Sequence, residues 1–256
     1  MKSSAFQLKR AFMILFWIFL WQAASSALQN NIILVGPLEV LQSLLSQILT
    51  MEFWKTIAFS FGKISLGFFL SFAAGMVTGG AAFRFPLLED FLEPPMLFLK
   101  SVPVASFIIL ALIWIGSENL SLFIAFLVVF PMIYLHTMAG FRSADKKLLE
   151  MARVFQMPRV KKLFYIYRPA LLPHLIGGCR VALGMSFKSG IAAEVIGVPD
   201  HSIGEKLYMA KIYLSTADLF AWTLVILVIS ATFESLFLWL LSLAAPAVVA
   251  NRRKED

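Results

Sequence analysis

Apolar runs long enough to cross a membrane recur along this chain, and they constrain its fold more than any other feature. Three of them cover residues 53–83, 120–139 and 218–245. A helix needs about 20 apolar residues to cross a bilayer, whereas a membrane β-barrel would show short segments of alternating polarity. Hydrophobic residues make up 60% of the chain and charged residues only 14%, which excludes an ordinary soluble domain. The sequence therefore predicts an all-α integral membrane protein with about six transmembrane helices.

The amino-terminal apolar segment has two interpretations. Lys2, Lys9 and Arg10 precede an apolar stretch from about residue 11 to 28 that ends in small residues. This pattern is typical of a cleaved signal peptide, but the stretch is also long enough for an uncleaved first helix if its polar residues are tolerated. Both interpretations place Asn30 outside the membrane.

The remaining elements follow from helical spacing and from proline positions. Apolar and polar residues alternate at helical spacing in 38–49, which predicts an amphipathic helix at the outer interface. A polar turn at 84–93 is predicted to end at Pro94-Pro95, and Lys100 and Pro103 interrupt the next span. The later spans are predicted at about 53–83, 96–115, 120–139, 175–198 and 218–245.

Small residues recur every four positions in the span at 53–83. Such residues allow two helices to approach closely in lipid. Lys63 continues the same stripe, so we expect its side chain to face the helix bundle, because a charge facing lipid at depth costs several kcal/mol. The stripe consists of Gly67, Ser71, Gly75 and Gly79.

A strongly basic segment at 140–173 lies between two of the apolar runs. It carries eight Lys or Arg residues against Asp145 and Glu150. Basic residues are also concentrated at both termini, whereas the alternate connections hold few, so we predict that this loop and both termini face the cytoplasm. The net charge of +7 is then a topology signal, and no nucleic-acid partner is expected.

Several kinds of chemistry are excluded by the residues that the chain lacks. Its single cysteine, Cys179, cannot form an internal disulfide or a cysteine metal cluster. The three histidines are scattered, and Lys188-Ser189 lacks the preceding glycine-rich loop that a phosphate site requires. We therefore expect no metal and no cofactor on this chain.

The basic loop is predicted to contain two short amphipathic helices, at 145–155 and at 159–167, the second of which is stopped by Pro169. A helix that lies flat with an exposed apolar and charged face can bind in the groove of a partner protein. It can equally bind anionic lipid headgroups. The residues alone leave both interpretations open.

The motifs in this loop resemble a known family. Leu149-Glu150-Met151-Ala152-Arg153 is similar to the EAA loop of ABC-importer permeases, and more narrowly to the nitrate, sulfonate, taurine and pyrimidine-precursor permeases. The resemblance extends from about residue 53 to the end of the chain. It also includes Ser60-Phe61-Gly62-Lys63, Gly67-Phe68, Ser101-Val102-Pro103, Trp114-Ile115-Gly116, Leu171-Leu172-Pro173, Gly177-Gly178-Cys179-Arg180, Ala192-Ala193-Glu194 and Ile203-Gly204.

The resemblance implies a type I ABC importer permease fold in one transmembrane domain, residues 1–256, with core helices in 53–245 and a coupling loop at 140–173. It favours an uncleaved first helix. It also implies a multi-pass protein of the bacterial inner membrane that is not itself an enzyme. The implied partners are two ABC ATPase subunits that bind ATP and Mg²⁺, a second permease copy, an extracytoplasmic solute-binding protein and the lipid bilayer.

In the family, the first helix of the loop is the coupling helix, which docks on the ATPase. By that match the docking residues are Leu149, Glu150, Ala152, Arg153 and Gln156. Met151 stands where alanine is usual. Gln156 stands where the family has a glycine, so we expect the turn after the coupling helix to form without one.

Ionisable residues inside spans generally mark a pathway or a pairing. Ser186, Gly190 and Glu194 fall four apart on one helix face, whereas Lys188 projects nearly opposite the first two. Glu194 either lines the path or pairs with a lysine such as Lys63. The predicted translocation path comprises Lys63, Ser186, Lys188, Ser189 and Glu194.

Two questions stay open at this point. A secondary transporter or channel without an ATPase is the alternative function, although the EAA-like loop counts against it. The lysines Lys63 and Lys188 suggest an anion such as a sulfonate or nitrate, but a neutral or cationic vitamin precursor is a rival solute.

Overall fold

The computed structural model describes residues 2–28, 30 and 32–243, and the elements within these ranges are helices. The first six are α1 (Lys2–Leu28), α2 (Pro37–Ile48), α3 (Met51–Arg84), α4 (Pro86–Ser101), α5 (Val104–Ile115) and α6 (Leu120–Arg142). The others are α7 (Lys146–Val154), α8 (Arg159–Lys162), a π-helical turn (Leu163–Tyr167), α9 (Arg168–Gly197), α10 (Ile203–Ile212) and α11 (Thr216–Leu243).

Four helical segments in the described residues are long and apolar enough to cross a membrane: α3, α6, the continuous run 159–197 and α11. The pair α4 and α5 together forms a fifth candidate, bent by 104° at the break. The apolar part of α1, Phe12–Leu28, is shorter. The all-α membrane architecture is confirmed, with four or five clear spans where about six are predicted.

The bundle is centred on α6, which packs between α3 and α9. A Cβ added at Gly67 would lie 2.3 Å from the Leu122 carbonyl oxygen, and one at Gly75 would lie 2.8 Å from Ile133 Cβ. Ser71 Oγ donates to the Phe126 carbonyl at 3.1 Å. The predicted close approach along this small-residue stripe is therefore confirmed, and the helix that packs against the stripe is α6.

The predicted polar turn at 84–93 is wrong. Helix α4 begins at Pro86 and continues through Pro94 and Pro95 to Ser101. Both internal prolines are exposed, so the backbone hydrogen bonds that they remove are not lost inside the core. The predicted interruption near Pro103 does occur, because α4 ends at Ser101 and α5 begins at Val104.

The expected stop at Pro169 is also wrong. Helix α8 passes through the π-helical turn at Leu163–Tyr167 into α9 without a break. Pro169 follows directly on the π-helical turn, where the backbone hydrogen bonds already depart from the α-helical pattern, so the N–H that proline lacks falls at an existing irregularity. The second half of the basic loop and the following span are therefore one continuous helical segment.

The amphipathic helix predicted at 38–49 is confirmed as α2. Its Leu38, Leu41 and Leu45 side chains are exposed, as expected for a helix lying against lipid. Val40 and Leu44 turn inward and pack with Ala221 of α11, and Ser43 Oγ donates to Asp218 Oδ1 of α11 at 2.6 Å. This contact fastens α2 to the beginning of α11.

Candidate functional site

The basic loop at 140–173 is built around α7, which is capped at its beginning by Asp145. The Asp145 carboxylate accepts a hydrogen bond from the Lys147 N–H at 2.8 Å and caps the helix. Ala152 is 1% exposed and packs with Ala144 and Ile166, so α7 lies against the π-helical turn. Leu149 packs against the same cluster. These two predicted docking residues therefore hold α7 in place rather than projecting from it.

The opposite side of α7 is open. Glu150 and Arg153 are exposed, and neither forms a hydrogen bond or ion pair with the described residues. Leu148 and Met151 beside them are 42% and 48% exposed. An exposed surface that combines apolar side chains with charges of both signs is suited to a protein partner.

Gln156 ends α7 in a left-handed conformation. Its φ angle is +48°, a value that favours glycine because a side chain at Cβ meets the following carbonyl. The Met157 N–H donates back to the Ala152 carbonyl at 2.8 Å and closes the turn. The prediction that the turn forms without glycine is confirmed, and glutamine adopts the glycine conformation.

The predicted path residues on α9 lie on opposite faces of the helix. Ser186 and Glu194 are 0% exposed and Ser189 is 4% exposed, whereas Lys188 is exposed. The hydroxyls of Ser186 and Ser189 donate to Leu183 and Met185 carbonyls of their own helix, at 2.7 and 2.8 Å. The two serines and Glu194 are therefore enclosed by this chain, and Lys188 alone of the four faces outward.

The Glu194 carboxyl joins three helices. Its Oε2 accepts hydrogen bonds from Ser60 Oγ of α3 at 2.7 Å and from the Gly204 N–H of α10 at 3.2 Å. Ser60 Oγ in turn accepts from the Ile203 N–H at 2.8 Å. A Cβ at Gly204 would lie 2.2 Å from Glu194 Cβ, so only glycine permits this approach of α10 to α9.

Lys63 has a different partner. Its Nζ donates to Asn119 Oδ1 at 2.5 Å, in the turn between α5 and α6, and lies 5.6 Å from the centroid of the Phe59 ring. The pairing of Lys63 with Glu194, one of the two alternatives above, is absent from the described residues. Lys63 therefore fastens α3 to the turn before α6.

One face of α9 is turned away from the rest of the chain, and we call it the outward face: Gly177, Arg180, Val181, Gly184, Lys188 and Ala192, all of them exposed. A Cβ built at either glycine would meet no atom within 4 Å. The Arg180 side chain is 61% exposed, and its Nε lies 3.9 Å from Glu234 Oε1 of α11.

The sequence did not predict several contacts of the candidate site. Ser60 and Gly204 entered only as parts of family motifs, and no local pattern links them to Glu194. The outward face was detectable, because Gly177, Gly184 and Lys188 recur at helical spacing. Within the part of the chain that the structure describes, no group of three His, Cys, Asp or Glu residues is arranged to hold a metal.

Comparison with known proteins gives consistent matches. The model of the family described as binding-protein-dependent transport system inner membrane component matches residues 67–250. The putative aliphatic sulfonates transport permease protein SsuC of Bacillus subtilis is 27% identical over 221 residues, which are 85% of this chain and 79% of that protein. The taurine transport system permease protein TauC of Escherichia coli is 26% identical over 220 residues, 84% of this chain and 80% of that protein.

A shorter match covers about half of another relative. The bicarbonate transport system permease protein CmpB of Synechocystis is 28% identical over 145 residues, which are 56% of this chain and 51% of that protein. These matches support the permease prediction and do not support a secondary transporter. The chain belongs to the family of binding-protein-dependent transport system inner membrane components, as a permease of the ABC importer type.

Proposed function

We propose that two copies of this chain form the translocation path of an ATP-driven importer. An extracytoplasmic binding protein delivers the solute, and two ATPase subunits that bind ATP and Mg²⁺ supply the energy. The named relatives suggest the solute class, a small molecule such as a sulfonate, taurine or bicarbonate. Both termini and the loop at 140–173 face the cytoplasm in this proposal, because the basic residues are concentrated there.

The observation that carries the proposal is the position of α7. Its exposed side presents Glu150 and Arg153 without partners in the described residues, which suits a docking surface. Its buried side packs through Ala152 on the π-helical turn that runs directly into α9. A movement of α7 with the ATPase would therefore be carried into the bundle by α9, and rigid-body rocking of this kind alternates access to a central path.

The outward face of α9 supports the second copy. Lys188 lies within the apolar span, and a lysine that faced lipid there would cost several kcal/mol. Gly177 and Gly184 leave the surface beside it open. In the proposed homodimer this face turns toward the partner copy, and the solute passes between the two copies.

The experiment is co-purification of the tagged chain in mild detergent, comparing Glu150→Lys with Asp90→Lys. Asp90 is an exposed carboxylate on α4, on the cytoplasmic side of the proposed topology. We expect Glu150→Lys to weaken ATPase association about tenfold or more, whereas Asp90→Lys should retain the ATPase. Equal recovery of the ATPase with Glu150→Lys would reject α7 as the docking site. A complex that contains no ATPase but moves solute in proteoliposomes would establish the secondary transporter instead.

A further inference from the structure

We infer that the outward face of α9 selects anions, and that Lys188 is the residue that sets this preference. The inference rests on the proposed function, in which this face lines the path. It adds the side chain by which the path discriminates solutes according to their charge.

The two basic residues of this face, Arg180 and Lys188, differ in whether a carboxylate lies beside them. Arg180 has Glu234 beside it, with 3.9 Å between Arg180 Nε and Glu234 Oε1. Lys188 is exposed, and among the described residues no carboxylate pairs with it and no hydrogen bond holds it. Glu234 thus largely compensates the positive charge of Arg180, whereas the positive charge of Lys188 is not compensated.

Lys188 lies well inside the span. It precedes Gly197, the last residue of α9, by nine positions, which correspond to about 14 Å along the helix. A charge between walls of low dielectric acts over a longer distance than a charge in bulk water. A cation that lines such a cleft raises the local concentration of anions and lowers that of cations.

The surface next to Lys188 has room for a small solute. Gly184 lies one helical turn toward the cytoplasmic end, and a Cβ there would meet no atom within 4 Å. The other lysine predicted for the path, Lys63, is already engaged with Asn119. Lys188 is therefore the basic side chain of the path prediction that remains available to an anion.

The test measures the charge preference of the path without knowledge of the natural solute. Gly184→Cys places a thiol beside Lys188, and the native Cys179 is buried and serves as the unreactive background. The assembled complex in membrane vesicles is treated with an anionic and with a cationic methanethiosulfonate, each rate being normalised to that of a small thiol. We expect the anionic reagent to react about tenfold faster, as one uncompensated charge at close range allows.

Two further variants and one control assign this preference to Lys188. Lys188→Gln should bring the ratio of the two rates close to unity, whereas Lys188→Arg should preserve it. Gly62→Cys on α3 is the matched control, because a Cβ there also meets nothing within 4 Å. Its rate ratio should not change when Lys188 is replaced.

The outcomes distinguish a failure of anion selection by Lys188 from a failure of the proposed translocation path. If a neutral methanethiosulfonate labels Gly184→Cys but neither charged reagent does, the face is covered by lipid or by a dry contact, and the proposed path is overturned. If both charged reagents react but the ratio is unity, or if the ratio is the same in Lys188→Gln, the path stands and anion selection by Lys188 is overturned.

Discussion

The hydroxyl of Ser60 in α3 lies 2.7 Å from Glu194 Oε2 in α9, and it joins residues that are 134 positions apart in the chain. The same hydroxyl accepts a hydrogen bond from the Ile203 N–H at the beginning of α10. One buried serine of α3 therefore connects α9 and α10. Ser121 of α6 is also buried, and its hydroxyl interacts with the same Glu194 carboxyl.

Removing this hydroxyl should destabilise the end of the bundle at which α10 packs. Ser60→Ala leaves the Ile203 N–H without its acceptor and removes one donor from the Glu194 carboxyl, and we expect the free energy of unfolding to fall by about 2 kcal/mol. Thermal unfolding in detergent measures the loss. Ser186→Ala is the matched control, because that buried hydroxyl only donates to a carbonyl of its own helix. Equal losses of stability in the two variants would show that the Ser60 hydroxyl contributes no more than a hydroxyl bonded within its own helix.

The contact of α3 with α6 depends on the absence of a side chain at Gly67. In Gly67→Ala the new Cβ would lie 2.3 Å from the Leu122 carbonyl oxygen, and because that atom is backbone, the helices must separate. We expect a loss of about 1–3 kcal/mol in stability. Gly62→Ala, where nothing lies within 4 Å, should be neutral or should gain up to about 1 kcal/mol. The opposite order of melting temperatures would contradict the packing described here.

The left-handed turn at Gln156 should be relieved by glycine. Gln156→Gly removes a strain of about 1–2 kcal/mol that a side chain brings to this conformation, and Gln156→Val should increase the strain because a β-branched residue fits it poorly. Cleavage of the native loop by trypsin, which cuts at its many basic residues, reports the local opening. We expect cleavage to be slowest in the glycine variant and fastest in the valine variant. Equal rates would mean that the turn does not limit opening.

The attachment of α2 should depend on Asp218. Its carboxylate accepts from Ser43 Oγ at 2.6 Å, from Gln47 Nε2 at 2.9 Å and from Ser215 Oγ at 2.6 Å. Hydrogen bonds to a charged group contribute about 1.5–3 kcal/mol each, so Asp218→Ala should make α2 amides exchange hydrogen at least about tenfold faster. Glu39→Ala, a change at an exposed carboxylate of α2 itself, should leave exchange unchanged. Unaltered exchange in Asp218→Ala would place the attachment elsewhere.

The apolar pattern predicted most of the spans because lipid leaves the chain little choice. A backbone in hydrocarbon must satisfy its own hydrogen bonds, so a long apolar run is helical wherever it lies. Helical spacing also separated Ser186 and Gly190 from Lys188, and burial confirms that they lie on different faces. Which face is enclosed could not be derived, because it depends on the packing of α3 and α6 against α9.

Proline positions predicted helix ends less well. Pro169 was expected to stop a helix, yet it lies in the first turn of α9 after a π-helical turn, and a local rule cannot anticipate that extra residue. Pro94 and Pro95 were expected to follow a turn but lie within α4. The hydrogen bond between Ser60 and Glu194 could not be predicted for a different reason, since the two residues are brought together only by the tertiary fold.

The continuous segment from Arg159 to Gly197 has a mechanical consequence. Its 39 residues make a helical segment of about 58 Å, which begins close after α7 and ends at Val198, where the backbone turns left-handed. The π-helical turn at Leu163–Tyr167 and the two prolines that follow it, Pro169 and Pro173, are features at which helices bend, so any bending of the segment is expected near its beginning and the helix beyond Pro173 should move as one unit. The number of residues between its two ends fixes which side chains of α9 face the bundle and which face outward. One inserted residue would rotate every side chain beyond it by about 100° about the helix axis.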